Sequence, residues 1–141
     1  MTASSKLLSI QAGSDHLIND LTSGASLTST NKTGPWVAIP VGIGVVGGVH
    51  VWLDGTAGGT AQVCLDYSND NSTVAPVTQG WTSDPTGQYN PGGLTELQGP
   101  NTGAGCAPQM GYAFMRLRRL DSGLGNVDGV VSWNISNKVQ L

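Results

Sequence analysis

Three arginines, Arg116, Arg118 and Arg119, stand within four residues and make up half of the six basic residues of this chain. On an extended strand Arg116 and Arg118 leave the same face, with Tyr112 and Phe114 beside them. Guanidinium forks next to aromatic rings suit protein interfaces, where they pair with carboxylates. The competing reading is a strand face kept from aggregating by its charge. Tryptophan and tyrosine offer a second chemistry. Trp36, Trp81 and Tyr89 border loops and could contact a protein or stack on a sugar. Trp52 and Trp133 fall inside strands and are expected in the core.

Catalytic and metal-binding patterns do not assemble. His16 and His50 lack a second histidine or a carboxylate at metal-ligand spacing. Four of the eight aspartates (Asp54, Asp70, Asp84, Asp121) sit in turns, where the side chain caps its own backbone. Asp66 and Asp128 lie on strands, and Glu96 is the one glutamate. The run from Asp66 to Asn71 fails the calcium-loop pattern, which needs glycine at its sixth position and glutamate at its twelfth. Gly42-Ile-Gly-Val-Val-Gly47 matches a dinucleotide fingerprint, but Pro40 precedes it and a β-alternating run follows, so the strand–helix frame is missing. Cys64 and Cys106 lack the Cys-x-x-Cys spacing of redox or zinc sites. They read as two buried thiols, with one bridge left open should they meet in the fold. The expectation is a non-enzymatic protein with no cofactor and no metal.

The elements that must position these residues are β-strands. Glycine accounts for 21 of 141 residues, about twice the usual ~7%. Charged residues are 11%, less than half the usual ~25%, and the net charge is -3. Six cations without a basic run exclude an electrostatic nucleic-acid binder. The most apolar window, Trp36–Trp52, is broken by prolines and glycines, and no membrane span is expected. The N-terminal apolar run Leu7–Ile10 is too short for a secretory signal, which points to synthesis in a cytoplasm.

Residues 1–34 are polar and weakly periodic. Lys6–Gln11 suggests a short strand, and Ser14–Leu21 a short helix capped by Ser14. The segment is expected to be an arm or lead-in outside the core, followed by a β-domain over 35–141. There, Trp36–Ile39, Gly47–Asp54, Thr60–Ser68, Val74–Thr78, Tyr112–Leu120 and Asn126–Ile135 read as strands. Turn signals predict two hairpins, 47–54 with 60–68 and 112–120 with 126–135. Val127, Gly129, Val131, Trp133 and Ile135 share one face. Both faces of Tyr112–Leu120 carry large apolar groups, so spacing assigns neither to the core. Residues 80–109 are loop-like, with short strands near Thr86–Tyr89 and Gly93–Leu97. Many short strands with glycine-rich turns define an all-β fold, an antiparallel β-sandwich or jelly-roll with an extended N-terminal arm.

Three segments carry a resemblance: Gly48-Val-His-Val-Trp-Leu-Asp-Gly-Thr56, Gly59-Thr-Ala-Gln-Val-Cys-Leu-Asp-Tyr-Ser-Asn-Asp-Asn71 and Gly111-Tyr-Ala-Phe-Met-Arg-Leu-Arg-Arg-Leu120. Over about residues 36–136 the chain resembles small β-sandwich structural proteins of tailed bacteriophages, closest to capsid decoration (cement) proteins and head fibres. The resemblance implies a virion protein on the capsid surface, partnered by the major capsid protein and by copies of itself, often as a trimer. The alternatives are a phage tail or neck β-domain and a carbohydrate-binding module. Partner contacts are expected at Trp36, Trp81, Tyr89, Arg116 and Arg118.

Overall fold

A computed structural model of the chain describes residues 14–42, 44–54, 60–70, 76–79, 95–98 and 103–136. Strands form where apolar and polar residues alternate. The described residues hold nine: β1 (Ser14–Asp20), β2 (Val37–Ala38), β3 (Val45–Asp54), β4 (Thr60–Ser68), β5 (Val77–Gln79), β6 (Thr95–Gln98), β7 (Gly103–Cys106), β8 (Phe114–Arg119) and β9 (Asn126–Ser136). All pairings among them are antiparallel. One sheet runs β1-β9-β3-β7 and the other β2-β8-β4-β5. β6 shares the outer edge of β4 with β5, opposite Thr60–Val63, while β5 takes Leu65–Tyr67. The fold is the expected all-β sandwich.

Alternation sorts each strand into an inner and an outer face. Val49, Val51 and Leu53 of β3 meet Val63, Leu65 and Tyr67 of β4, Met115 and Leu117 of β8, and Val127, Val131 and Trp133 of β9 in one core. The inner face of β8, which spacing leaves open, is thus the one holding Met115, Leu117 and Arg119. Gly47 lies directly opposite Trp133 across the ladder, and the indole folds over it. A Cβ at Gly47 would stand 2.5 Å from the Trp133 ring and 2.8 Å from Pro108. Gly47→Ala is therefore expected to lower stability by about 1–3 kcal/mol through overpacking. Urea denaturation checks it, as a lower midpoint at unchanged slope.

Several expectations are corrected. Neither predicted hairpin forms. β3 and β4 lie in different sheets, as do β8 and β9. A turn signal reports that the chain reverses, not which sheet receives the next strand. The ten-residue β3–β9 ladder and the six-residue β4–β8 ladder decide the pairing instead. Ser14–Asp20 is a strand and not a helix. Its seven residues pair with β9 from Ser136 to Val130, and that ladder gives its backbone the hydrogen bonds a helix would have supplied.

The expectation that residues 1–34 stand outside the core does not hold for 14–34. Leu21 and Leu27 are fully buried, Leu27 bridges Val127, and Gly34 N–H donates to the Leu117 carbonyl. This segment passes from the edge of one sheet to the edge of the other. Trp52, expected in the core, faces outward, half-buried, and packs against His50 at 5.1 Å between ring centroids. β7 forms within the stretch expected to be loop, since two of its four residues are glycine and give no strand signal. The strands expected at Lys6–Gln11 and Thr86–Tyr89 lie outside the described residues.

Candidate functional site

The outer face of the second sheet gathers three of the five predicted contact residues. Arg116 and Arg118 project from β8 toward Asp66, which lies opposite Arg116 on β4. Arg116 Nε donates to Asp66 Oδ2 at 3.0 Å, and Arg118 Nε to the same oxygen at 2.7 Å. Arg118 Nη2 reaches Oδ1 at 3.0 Å, making the Arg118 contact a two-pronged one. Thr78 Oγ1 of β5 donates to Oδ1 at 2.9 Å. Asp66 is fully buried, Arg116 nearly so, and the Arg118 side chain is 30% exposed. On the far side, the Arg116 guanidinium lies 4.5 Å from the centroid of Trp36, just before β2. A cation over an indole face adds attraction. The indole N–H of Trp36 is itself buried, with no hydrogen-bond partner among the described residues. The order across the sheet is therefore Trp36, Arg116, Asp66, Thr78, with Arg118 one step along. Trp81 and Tyr89 lie outside the described residues.

In the sequence Asp66 is legible only as an acid on a strand. The cross-strand register makes it the shared partner of both arginines. Burial pushes its carboxyl up, but hydrogen bonds from Arg118, Arg116 and Thr78 outweigh that and hold it below the usual range. Cys64, two residues away on the same face, is buried, and burial followed by the Asp66 charge pushes its thiol up to about 12. Cys64 and Cys106 are free thiols in different sheets.

Beside this row, at one end of the sandwich, lies an apolar groove with a volume of about 710 Å³. Its walls come from the loop between β2 and β3 and the approach to β8, and include Ile39, Val41, Met110, Tyr112 and Phe114. Phe114 precedes Arg116 by two residues on the same outward face, so groove and charged row are continuous. Val41 is 97% exposed and Met110 45%. Asn69, just past β4, accepts the Ala113 N–H at 3.0 Å and fixes the groove floor. Sequence patterns do not reveal these apolar lining residues, because a valine and a methionine in glycine-rich loops carry no periodic signal.

The opposite outer face carries Asp20, Asp54 and Asp128 near Trp52 and His50. Burial and the neighbouring Asp54 and Asp20 charges push the Asp128 carboxyl up, although Ser26 Oγ donates to it at 2.7 Å. Among the described residues no three His, Cys, Asp or Glu side chains gather as a metal-binding group.

A third ionic cluster closes the other end of the sandwich. Arg119 turns inward and pairs with Asp121, which also accepts the amides of Gln62 and Gly123. Burial pushes Asp121 up, and the Arg119 fork with those two amides overrides it, holding the carboxyl at about 2. Asp66 and Asp121 thus both have folded-state pKa values below their unfolded value of about 3.9. Such groups contribute stability above the unfolded pKa, and that contribution is lost as pH falls through the folded one. The melting temperature is expected to fall between about pH 4 and pH 2, a window that thermal scans by circular dichroism would resolve. A melting temperature flat across it would contradict the assignment.

No protein-family model matches this chain, and no curated protein sequence matches it. Among the described residues no helix is long and apolar enough to cross a membrane.

Proposed function

We propose that this chain is a non-enzymatic structural protein of a tailed-phage virion, a capsid decoration protein that docks on the outer surface of the head and stabilises it. The observation that carries the reading is the continuity of the exposed apolar groove with the Trp36–Arg116–Arg118 row. Tryptophan, arginine and methionine around an apolar centre are the composition of protein interface hot spots. The resemblance of residues 36–136 to phage decoration proteins supplies the class of partner. Binding to an assembled lattice stabilises whichever state binds, by mass action, and needs no chemistry at the site.

Co-sedimentation with purified heads of the phage that encodes the chain tests this. Wild-type protein at micromolar concentration is expected to pellet with heads, and Val41→Asp with Met110→Asp is expected to stay in the supernatant while keeping its fold. Absence of wild-type binding overturns the proposal, as does a glycan array showing sugar binding by protein that ignores heads.

A further inference from the structure

We propose that β1 is a pairing edge, and that two copies of this chain join through it, antiparallel about a two-fold axis at Ile18, into one continuous sheet. Among the described residues β1 pairs on one side only, with β9. The backbone hydrogen bonds fix which groups face the open side. Leu21 N–H donates to the Gly129 carbonyl, and the β1–β9 register continues that alternation. Odd-numbered residues of β1 therefore bond to β9, and His16, Ile18 and Asp20 turn their N–H and C=O groups outward.

An open edge of this kind is a template for another strand, and proteins usually blunt it with proline, lysine, bulges or brevity. The other edges follow that rule. β2 has two residues between Pro35 and Pro40, β5 has three and follows Pro76, and β6 and β7 have four each. β1 has seven residues in unbroken register, without proline or lysine. Two of its seven side chains are also apolar and exposed at its middle. Ile18 is 64% exposed and Leu17 is 44% exposed.

Hydrogen-bonding complementarity selects the occupant and the register. Centring two copies on Ile18 sets His16 opposite Asp20 of the second copy, twice, with Ile18 against Ile18 between them. The outward parity of all three residues permits that register, since even-numbered residues then face even-numbered ones. Leu17 stands opposite Asn19, and the two Leu17 side chains become diagonal neighbours, within contact range across a strand pair. Both polar ends are already held in place. The His16 ring bonds Ser132 Oγ, and the Asp20 carboxylate accepts Thr22 N–H, Thr22 Oγ1 and Gly24 N–H, each at 2.8 Å. No like charges face each other in this register. The arrangement is isologous, so it closes at two copies and does not propagate. It differs from the threefold assembly implied by the phage resemblance, and it does not depend on capsid binding.

Light scattering on the full chain after size exclusion tests the proposal. The expected mass is twice 14.5 kDa. Ile18→Lys, at an exposed position, is expected to keep the circular dichroism spectrum and weaken association by roughly tenfold or more, since it sets like charges opposite each other. Ile18→Cys should cross-link between copies through a short bis-maleimide, because the directly opposed Cα atoms of a hydrogen-bonded pair lie ~5.5 Å apart. Val46→Cys, equally exposed on the same sheet, should not. A monomer, a three-copy mass untouched by Ile18→Lys, or equal cross-linking at 18 and 46 would overturn the edge pairing. None of these results bears on co-sedimentation with heads, so the two proposals fail separately.

Discussion

Asp66→Ala is expected to destabilise the fold by about 3–5 kcal/mol, the range for removing one partner of a buried ion pair. The carboxylate is fully buried, and it answers two guanidinium groups and one hydroxyl at 2.7–3.0 Å. Without it, Arg116 remains nearly buried between Trp36 and β4 with its charge uncompensated. Single domains are stable by only about 5–15 kcal/mol, so the variant would lose much of its margin. Denaturant titration measures the loss. A triple replacement, Asp66→Leu with Arg116→Met and Arg118→Met, is expected to recover most of it, because the cost lies in the orphaned charges and not in missing contacts. A loss below about 1 kcal/mol would place the cluster with exposed pairs, which are worth no more than that. Arg118 has the most solvent access of the three, so Arg118→Met alone should cost the least.

The same cluster marks where sequence reasoning stops. That Arg116 and Arg118 share a face follows from the period of a strand, and they do share it. That Asp66 is the shared partner of both follows only from the β4–β8 register, which no local signal encodes. The strand at Asn126–Ile135 and its inner face of Val127, Val131 and Trp133 are legible, since one face is apolar and the other polar. The inner face of β8 is not, because alternation puts the large apolar groups of Tyr112 and Phe114 on the outer face while Arg119 puts a charge on the inner one. Both hairpin expectations fail for one cause: glycine-rich turns announce reversal, while long ladders with distant partners choose the sheet. β1 reads as a helix because Leu17, Ile18 and Leu21 fit a helical turn as well as a strand. Seven backbone pairings with β9, more than a hundred residues away, override so short a pattern. The groove is invisible in the sequence because exposure is a property of the assembled end, not of Val41 or Met110.

Arg119→Ala is the second large effect expected, again about 3–5 kcal/mol. The guanidinium is buried and uses its whole fork. Nε and Nη2 hold Asp121 at 2.9 and 3.1 Å. Nη1 donates to the carbonyls of Gly125 at 2.7 Å and Leu27 at 3.3 Å, and Nη2 to those of Gly123 at 2.9 Å and Leu124 at 3.3 Å. One side chain thus ties the β8–β9 connection to the segment that crosses between the sheets. Truncation strands these carbonyls and the Asp121 charge together, and buried polar groups left unpaired each cost about 1–3 kcal/mol. Arg119→Lys separates charge from geometry. An ammonium carries the same charge on a compact head that cannot span carbonyls on two segments as the planar fork does. Lys is therefore expected to recover less than half of the loss. Hydrogen exchange should show where: the Leu27 and Val127 amides, which bond each other's carbonyls, would lose protection in both variants, while β4 amides paired with β8 keep theirs. Full rescue by Lys would mean that charge alone holds this end of the sandwich, and that the fork geometry contributes nothing.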